Sequence, residues 1–169
     1  MKVIYRVHAV RRMFERRITE ADVDKVLAEG EEIASYPDDV PYASRLLLGW
    51  RGDQPLHVVA AYNAQDDEQI VITVYEPDPE LWEDGFRRIQ EETAMKCVVC
   101  KQAETRPGVT TVTLGRGDST FVMRDVPAQV CPNCGEDYVD SHVTAELLRS
   151  AENLASAGAQ VDIRRYAAA

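Results

Sequence analysis

Apolar residues recur at helical spacing in two stretches near the N-terminus of this chain. Residues 8–17 are predicted to form a first helix. We expect the core-facing stripe of this helix to consist of Val7, Val10, Met13 and Phe14. A second helix is predicted from Thr19, a favourable N-cap, to about Glu29, and Gly30 is placed to end it. Its buried stripe would consist of Val23, Val26 and Leu27.

The pattern then changes to short runs rich in β-branched and aromatic residues, bounded by Gly, Pro, Asn and Asp. Strands are predicted at residues 32–36, 44–50, 56–62 and 70–75. Short polar loops join the last three strands, so we expect an antiparallel meander. A third helix is predicted over residues 79–91, after prolines interrupt the last strand. The order helix–helix–antiparallel sheet–helix predicts an α+β domain.

A different pattern begins near residue 95. Two β-rich runs, 109–114 and 119–124, flank a Gly-Arg-Gly-Asp turn that predicts a hairpin, and residues 126–130 form a third run. A helix is predicted over residues 142–157, and residues 160–166 alternate as a last strand. The change of pattern predicts two domains, residues 1–94 and 95–169. Because Met95-Lys96-Cys97 resembles the start of a second protein, we expect a fusion of two genes.

The four cysteines form two matched pairs, Cys97-x-x-Cys100 and Cys131-x-x-Cys134. This spacing predicts one structural Zn²⁺ per chain, held by four thiolates with no open coordination position. The predicted second domain is therefore a four-cysteine zinc ribbon with a helix and a C-terminal strand. Two disulfides are the alternative, but the N-terminus lacks the apolar segment of a secretory signal, so we expect a cytoplasmic protein. No segment reaches the ~20 apolar residues of a membrane span.

Nearly all of the net charge of −10 falls within residues 1–94. An acidic protein is a poor non-specific binder of nucleic acid, because such binding depends on neutralising phosphates. Residues 2–17 are the exception, since basic side chains dominate there. This run is either a solvated helix face or a local phosphate-binding patch, and the sequence leaves both readings open.

Residues 95–169 closely resemble the YgiT-type zinc-finger domain, the N-terminal part of MqsA-type antitoxins. The resemblance is carried by Met95-Lys96-Cys97-x-x-Cys100, the β-rich spacer 101–130, Cys131-x-x-Cys134 and the following helix. It implies a domain that neutralises a toxin. Antitoxins of this type continue into a helix-turn-helix that binds operator DNA. Because this chain stops at Ala169, we expect no DNA-binding domain in it.

Residues 1–94 resemble a bacterial domain family of unknown function that is often encoded beside such zinc-finger genes. That family is similar to the RelE/BrnT/MqsR group of small ribonuclease toxins. The segments that carry the resemblance are His8-Ala9-x-x-Arg12-Met13-x-x-Arg16-x-Ile18, Pro41-Tyr42-x-Ser44-Arg45-Leu46, Pro55-Leu56-His57-Val58-Val59 and Thr73-x-Tyr75-Glu76-Pro77. The resemblance implies a metal-independent endoribonuclease, with RNA as its substrate.

Cleavage of RNA by its own 2′-hydroxyl needs a general base, a general acid and cations at the phosphorane. Histidine and tyrosine can transfer protons, and arginine binds phosphate through bidentate hydrogen bonds. The candidate catalytic residues are His8, Arg12, Arg45, His57 and Tyr75. Each also has a structural interpretation. His57 is equally compatible with a half-buried hydrogen-bonded residue, and His8 with a residue that only starts a helix. Arg12 could pair with Glu15. Arg45 and Tyr75 could serve sheet packing.

Two hypotheses follow from these patterns. In the first, the chain is a toxin–antitoxin pair in which the zinc domain covers the cleft of the toxin, within one chain or between two chains of a homodimer. The last strand, residues 160–166, is then a candidate for addition to an edge of the toxin sheet. In the second, both halves form a non-catalytic zinc-binding module for regulation or interaction. The acidity of residues 1–94 favours this second hypothesis.

Overall fold

The computed structural model describes residues 2–83, 85–88 and 97–167. These residues form two compact units, which divide the chain differently from the predicted domains. The first unit comprises Met1–Glu104 and Pro132–Glu136, and the second comprises Thr105–Cys131 and Asp137–Ala169. The predicted boundary between residues 94 and 95 lies outside the described residues. Segments of both cysteine pairs therefore belong to the first unit.

A five-stranded sheet forms the centre of the first unit. Its strands are β1 (Lys2–Tyr5), β2 (Glu31–Tyr36), β3 (Ser44–Arg51), β4 (Gln54–Asn63) and β5 (Glu68–Tyr75), in the order β1-β5-β4-β3-β2. The four predicted strands and their antiparallel meander are confirmed. The sheet is nevertheless mixed, because the unpredicted β1 pairs in parallel with β5. A run of four residues carries too little periodicity to reveal such a pairing.

Two helices, α1 (Val7–Glu15) and α2 (Glu20–Glu29), pack on this sheet. The prediction for α2 is confirmed: Thr19 and Asp22 form a reciprocal capping box, and Val23 and Val26 are buried. The stripe predicted to bury α1 is confirmed only at Met13, which packs against the core, and is wrong at Val7, Val10 and Phe14, which are exposed. The side chain of Phe14 is 88% exposed and that of Val7 is 69% exposed, whereas the small Ala9 is fully buried.

The predicted third helix does not form over the described part of residues 79–91, which ends at residue 88. The amides of Leu81 and Trp82 both donate to the carbonyl of Asp78, which closes a single turn. Gly85 and Phe86 then adopt positive φ angles of 90° and 58°, which a right-handed helix cannot accommodate. The indole of Trp82 is nevertheless buried, and it packs edge-on to His57.

The second unit contains a long hairpin, a helix and two short strands. Its elements are β6 (Arg106–Arg116), β7 (Ser119–Val130), β8 (Asp137–Tyr138), α3 (Ser141–Ser156) and β9 (Val161–Arg165). The predicted hairpin is confirmed, with Gly117 at a φ of 57° in its turn. Asp140 caps α3 through the amide of His142, so the cap lies one residue before Ser141.

The last strand, β9, is paired within the second unit. It runs parallel to β7, from the pair Thr120–Val161 to the pair Arg124–Arg165. One edge of β9 is therefore already hydrogen-bonded to β7. That edge cannot also add to a toxin sheet, as the sequence had suggested. Within the described ranges, none of the helices combines the length and the apolar character needed to cross a membrane.

Close packing of α2 on β3 depends on Gly49. A Cβ atom at this position would lie 2.5 Å from Cγ2 of Val26 and 3.1 Å from its Cβ. Val26 is β-branched and buried in the core, so it has little freedom to move aside. Glycine is therefore required where the helix crosses this strand.

We predict that Gly49→Ala lowers the free energy of unfolding by about 1–3 kcal/mol through overpacking. Urea denaturation followed by tryptophan fluorescence measures the effect, because Trp50 and Trp82 both lie in the first unit. Combining Gly49→Ala with Val26→Ala removes the closest contact, the one to Cγ2 of Val26. The double variant should therefore be more stable than the sum of the two single effects implies. Additive effects would contradict the contact.

Candidate metal centre and the predicted catalytic residues

All four cysteines are buried and converge on one point. The Sγ atoms of Cys97, Cys100, Cys131 and Cys134 lie within 4.8 Å of one another. Cys97 and Cys134 are 3.7 Å apart, close to the edge of about 3.8 Å that a tetrahedron with Zn–S bonds of 2.3 Å would have. None of the four, all of which are described, is in a disulfide. The cluster is suited to hold a metal ion.

Tight turns place the two cysteine pairs. In the first, the amide of Lys101 donates to the carbonyl of Cys97, and the amide of Cys97 donates to the carbonyl of Ala103, each at 2.7 Å. The residue after each pair, Lys101 or Gly135, has a positive φ of 59° or 75°. A left-handed residue at this position turns the chain back after two side chains have been presented.

The first cysteine turn is anchored to β2 and the loop that follows it. Lys101 forms an ion pair with Asp39, and its Nζ lies 4.3 Å from the centre of the Tyr36 ring. The Gln102 amide donates to the Tyr36 hydroxyl. Burial raises the pKa of Tyr36 to about 12, so the hydroxyl stays neutral at physiological pH.

The second cysteine turn, Pro132–Glu136, lies against the polar side of α1. Nδ1 of His8 is 2.6 Å from Oε2 of Glu136, and the other ring nitrogen of His8 is 3.0 Å from the hydroxyl of Thr73. Arg16, directly after the helix, donates to the carbonyl of Asn133 at 3.1 Å. These partners explain why a polar stripe, rather than the apolar one, faces inward.

Arg12 belongs to the same stripe and packs on the backbone of Gly135. A Cβ atom at Gly135 would lie 2.2 Å from Nη1 of Arg12, so a larger residue there would push this guanidinium aside. Arg12 also donates to Glu15 at 2.7 Å, which is the pair foreseen from the sequence. Two of the five candidate catalytic residues, His8 and Arg12, are thus covered by the second cysteine turn.

His57 and Tyr75 lie together in the interior of the first unit. They face each other across β4 and β5, with ring centroids 5.1 Å apart, and Trp82 packs edge-on to His57 at 4.4 Å. Nε2 of His57 donates to the carbonyl of Phe86 at 2.9 Å. Burial lowers the pKa of His57 to about 4 and raises the pKa of Tyr75 well above its ordinary value. Both side chains are therefore neutral at pH 7.

Arg45 is not brought to the other candidates. It lies on β3, where Nη1 is 3.8 Å from Oε2 of Glu32, and lines a separate cleft of about 380 Å³. None of the other four candidates lines this cleft. The structure thus separates Arg45 from His57 and Tyr75, while a catalytic role for each of these residues stays a prediction.

Two residues of the second cysteine turn, Asn133 and Glu136, were not singled out from the sequence. Asn133 accepts the indole N–H of Trp82 at 3.3 Å and is itself buried, and Glu136 is the partner of His8. The only available signal was their position inside or just after the second Cys-x-x-Cys pair.

Comparison with known families finds one match, over residues 5–76, to a family described as Domain of unknown function (DUF4258). The matched range contains all five candidate catalytic residues and none of the cysteines. Neither the curated proteins nor the solved structures contain a match to this chain.

We predict that the chain contains one metal ion, measurable by elemental analysis, and that its removal exposes Trp82. In a Trp50→Phe variant, Trp82 is the only tryptophan, and a chelator should shift its emission to longer wavelength as Asn133 and the second turn move away. A Cys134→Ser variant, with one thiolate fewer, serves as the control and should already show the shifted emission. Unchanged emission after loss of the metal would contradict the coupling.

We predict that His57 makes the fold sensitive to acid. Its pKa of about 4 in the folded chain lies below the ordinary 6.5, so the unfolded chain binds more protons between these values and stability falls as pH falls through this window. Between pH 7.5 and 5 the wild type should lose about 2 kcal/mol more than His57→Gln, which keeps an N–H for Phe86. Urea titrations at both pH values measure this. Equal losses would show that His57 does not titrate as stated.

Proposed function

We propose that this chain is a toxin and an antitoxin in one polypeptide, in which a zinc-bound cysteine segment keeps an RNA-cleaving domain silent. The observation that carries the proposal is the second cysteine turn on α1. Glu136, Gly135 and the carbonyl of Asn133 take up the contacts of His8, Arg12 and Arg16. Those three side chains are the histidine and arginines that RNA cleavage would require.

Zinc is the metal proposed for the four thiolates. A site of four cysteine thiolates is typical of structural Zn²⁺. With all four positions filled by sulfur, the ion would stabilise the two turns and take no part in the reaction. Cys97, Cys100, Cys131 and Cys134 would hold it. Cleavage of RNA would then depend on the side chains that the turns cover.

When the second turn moves away, His8 and the two arginines of the stripe become available to a substrate. The imidazole of His8, released from the carboxylate of Glu136, would accept the proton of the 2′-hydroxyl as that oxygen attacks phosphorus, and water would protonate the departing 5′-oxygen. The guanidinium groups of Arg12 and Arg16 would bind the phosphate and stabilise the charge that develops on it. In this proposal His57 and Tyr75 support the sheet beneath, since both are buried.

A non-catalytic metal-binding module is the second candidate function. The burial of His57 and Tyr75 favours it, because two of the residues expected to transfer protons are inaccessible and neutral. The contacts of His8 and Arg12 would then serve only to dock the cysteine turn. This function requires no RNA cleavage by any form of the chain.

We predict that releasing the second turn in the full chain activates cleavage of RNA. The double variant Cys131→Ser/Cys134→Ser loses half of the thiolates, so the turn should detach from α1 and bacteria that express it should stop growing. Total RNA from these cells should be fragmented, and adding His8→Ala should restore both growth and intact RNA. Val98→Ser, an exposed change within the first turn, is the matched control and should have no effect.

The two candidate functions differ in the outcome. Fragmentation that depends on His8 supports the toxin–antitoxin pair. If the released variant keeps its β-sheet by circular dichroism but neither stops growth nor cleaves purified RNA, the ribonuclease is contradicted and the non-catalytic module is favoured.

A further inference from the structure

The cleft beside Arg45 has the features of a ligand site. It opens on the sheet of the first unit, where Ser35, Arg45 and Ala60 are neighbours across β2, β3 and β4, and Tyr62 pairs with Gln69 across β4 and β5. Ser35 is exposed in the cleft, whereas Ala60 is fully buried. The volume of about 380 Å³ lies within the range of ~300–1,000 Å³ that small-molecule sites occupy.

Gln69 supplies the strongest indication that something binds here. The residue is only 2% exposed and lines the cleft, yet its amide nitrogen is buried with no hydrogen-bond partner among the described residues. Buried donors are almost always satisfied, so an orphaned amide in the wall of a cleft calls for an acceptor from outside the chain.

Two further side chains define what that acceptor belongs to. Within the described part of the chain, the carboxylate paired with the guanidinium of Arg45 is that of Glu32, at a long 3.8 Å, and a guanidinium with five N–H groups can also bind an anion. The ring of Tyr62 forms an aromatic wall, and its hydroxyl donates to Asp67 at 2.8 Å, which fixes the ring in place. The cleft thus combines a cation, a buried amide donor and a flat aromatic surface.

We propose that this cleft binds a nucleotide, either free or as one unit of an RNA strand. Arg45 would bind the phosphate, the base would stack on Tyr62, and Gln69 would donate to an acceptor on the edge of the base. Ser35 and Glu32 at the rim are placed to contact sugar hydroxyls. This inference does not rest on the proposed cleavage, because it shares no residue with the stripe of α1.

Isothermal titration of the full metal-bound chain tests the proposal. The probes are the four ribonucleoside monophosphates, ribose 5-phosphate as the base-free control, and a short 2′-O-methyl oligoribonucleotide that cannot be cleaved at its 2′ positions. At least one monophosphate or the oligonucleotide should bind at one site per chain, at least tenfold more tightly than ribose 5-phosphate. Comparable affinity for a monophosphate and the oligonucleotide indicates a free nucleotide as the ligand. Binding of the oligonucleotide alone indicates an RNA strand.

Variants of the cleft separate this site from a general attraction of anions. Arg45→Ala should weaken binding at least tenfold, whereas Arg106→Ala, an exposed arginine outside the cleft, should not change it. Gln69→Leu should weaken binding while leaving the melting temperature unchanged or higher, because it removes an orphaned donor. Gln65→Leu, in the exposed loop after β4, is its control.

The titration can contradict the nucleotide site in specific ways. Absence of saturable binding by every nucleotide probe, or equal binding by wild type and Arg45→Ala, overturns the nucleotide site. Wild-type affinity in Gln69→Leu overturns the role of its amide. Growth and RNA integrity, the readouts of the proposed ribonuclease, are not measured in this titration, so either proposal can fail while the other stands.

Discussion

The docking of Pro132–Glu136 on the polar stripe of α1 is the interaction on which the rest of the first unit depends. The contact of His8 with Glu136 and the hydrogen bond from Arg16 to the carbonyl of Asn133 hold this turn in place. With the turn held there, Cys134 reaches the other three thiol groups and Asn133 reaches the indole of Trp82. The cysteine segment is therefore part of the core of the domain that precedes it in sequence.

This arrangement sets which side of α1 faces inward: Ala9 and Met13 pack against the core, and the polar stripe faces the cysteine turn. Polar side chains are costly to bury unless they find partners, and here His8, Arg12 and Arg16 find them on the cysteine turn and on neighbouring strands. The apolar residues on the opposite side, among them Val7 and Phe14, remain exposed as a consequence. The acidic character of the chain as a whole says little about this local balance, since the basic stripe is matched by the carboxylates of Glu15 and Glu136 and by backbone carbonyls.

The same contacts connect the fold to the proposed function. Side chains that stabilise the docked turn are those that a ribonuclease would use, so one movement of a metal-bound segment would both loosen the fold and expose the reactive groups. Regulation of this kind needs a segment whose attachment depends on a few polar contacts and one metal ion. Buried His57 and Tyr75, which face each other across β4 and β5, support the sheet beneath these contacts.

The sequence by itself determined the features that short segments encode. The cysteine spacing, the capping box at Thr19, the meander of β3 to β5 and the hairpin of β6 and β7 all follow from caps, alternation and turn residues within a few positions. Only the tertiary structure decided which side of α1 faces inward, how β1 pairs, and that both cysteine turns pack with the first unit. Those outcomes depend on partners far along the chain, such as Glu136 for His8, and local periodicity contains no information about them.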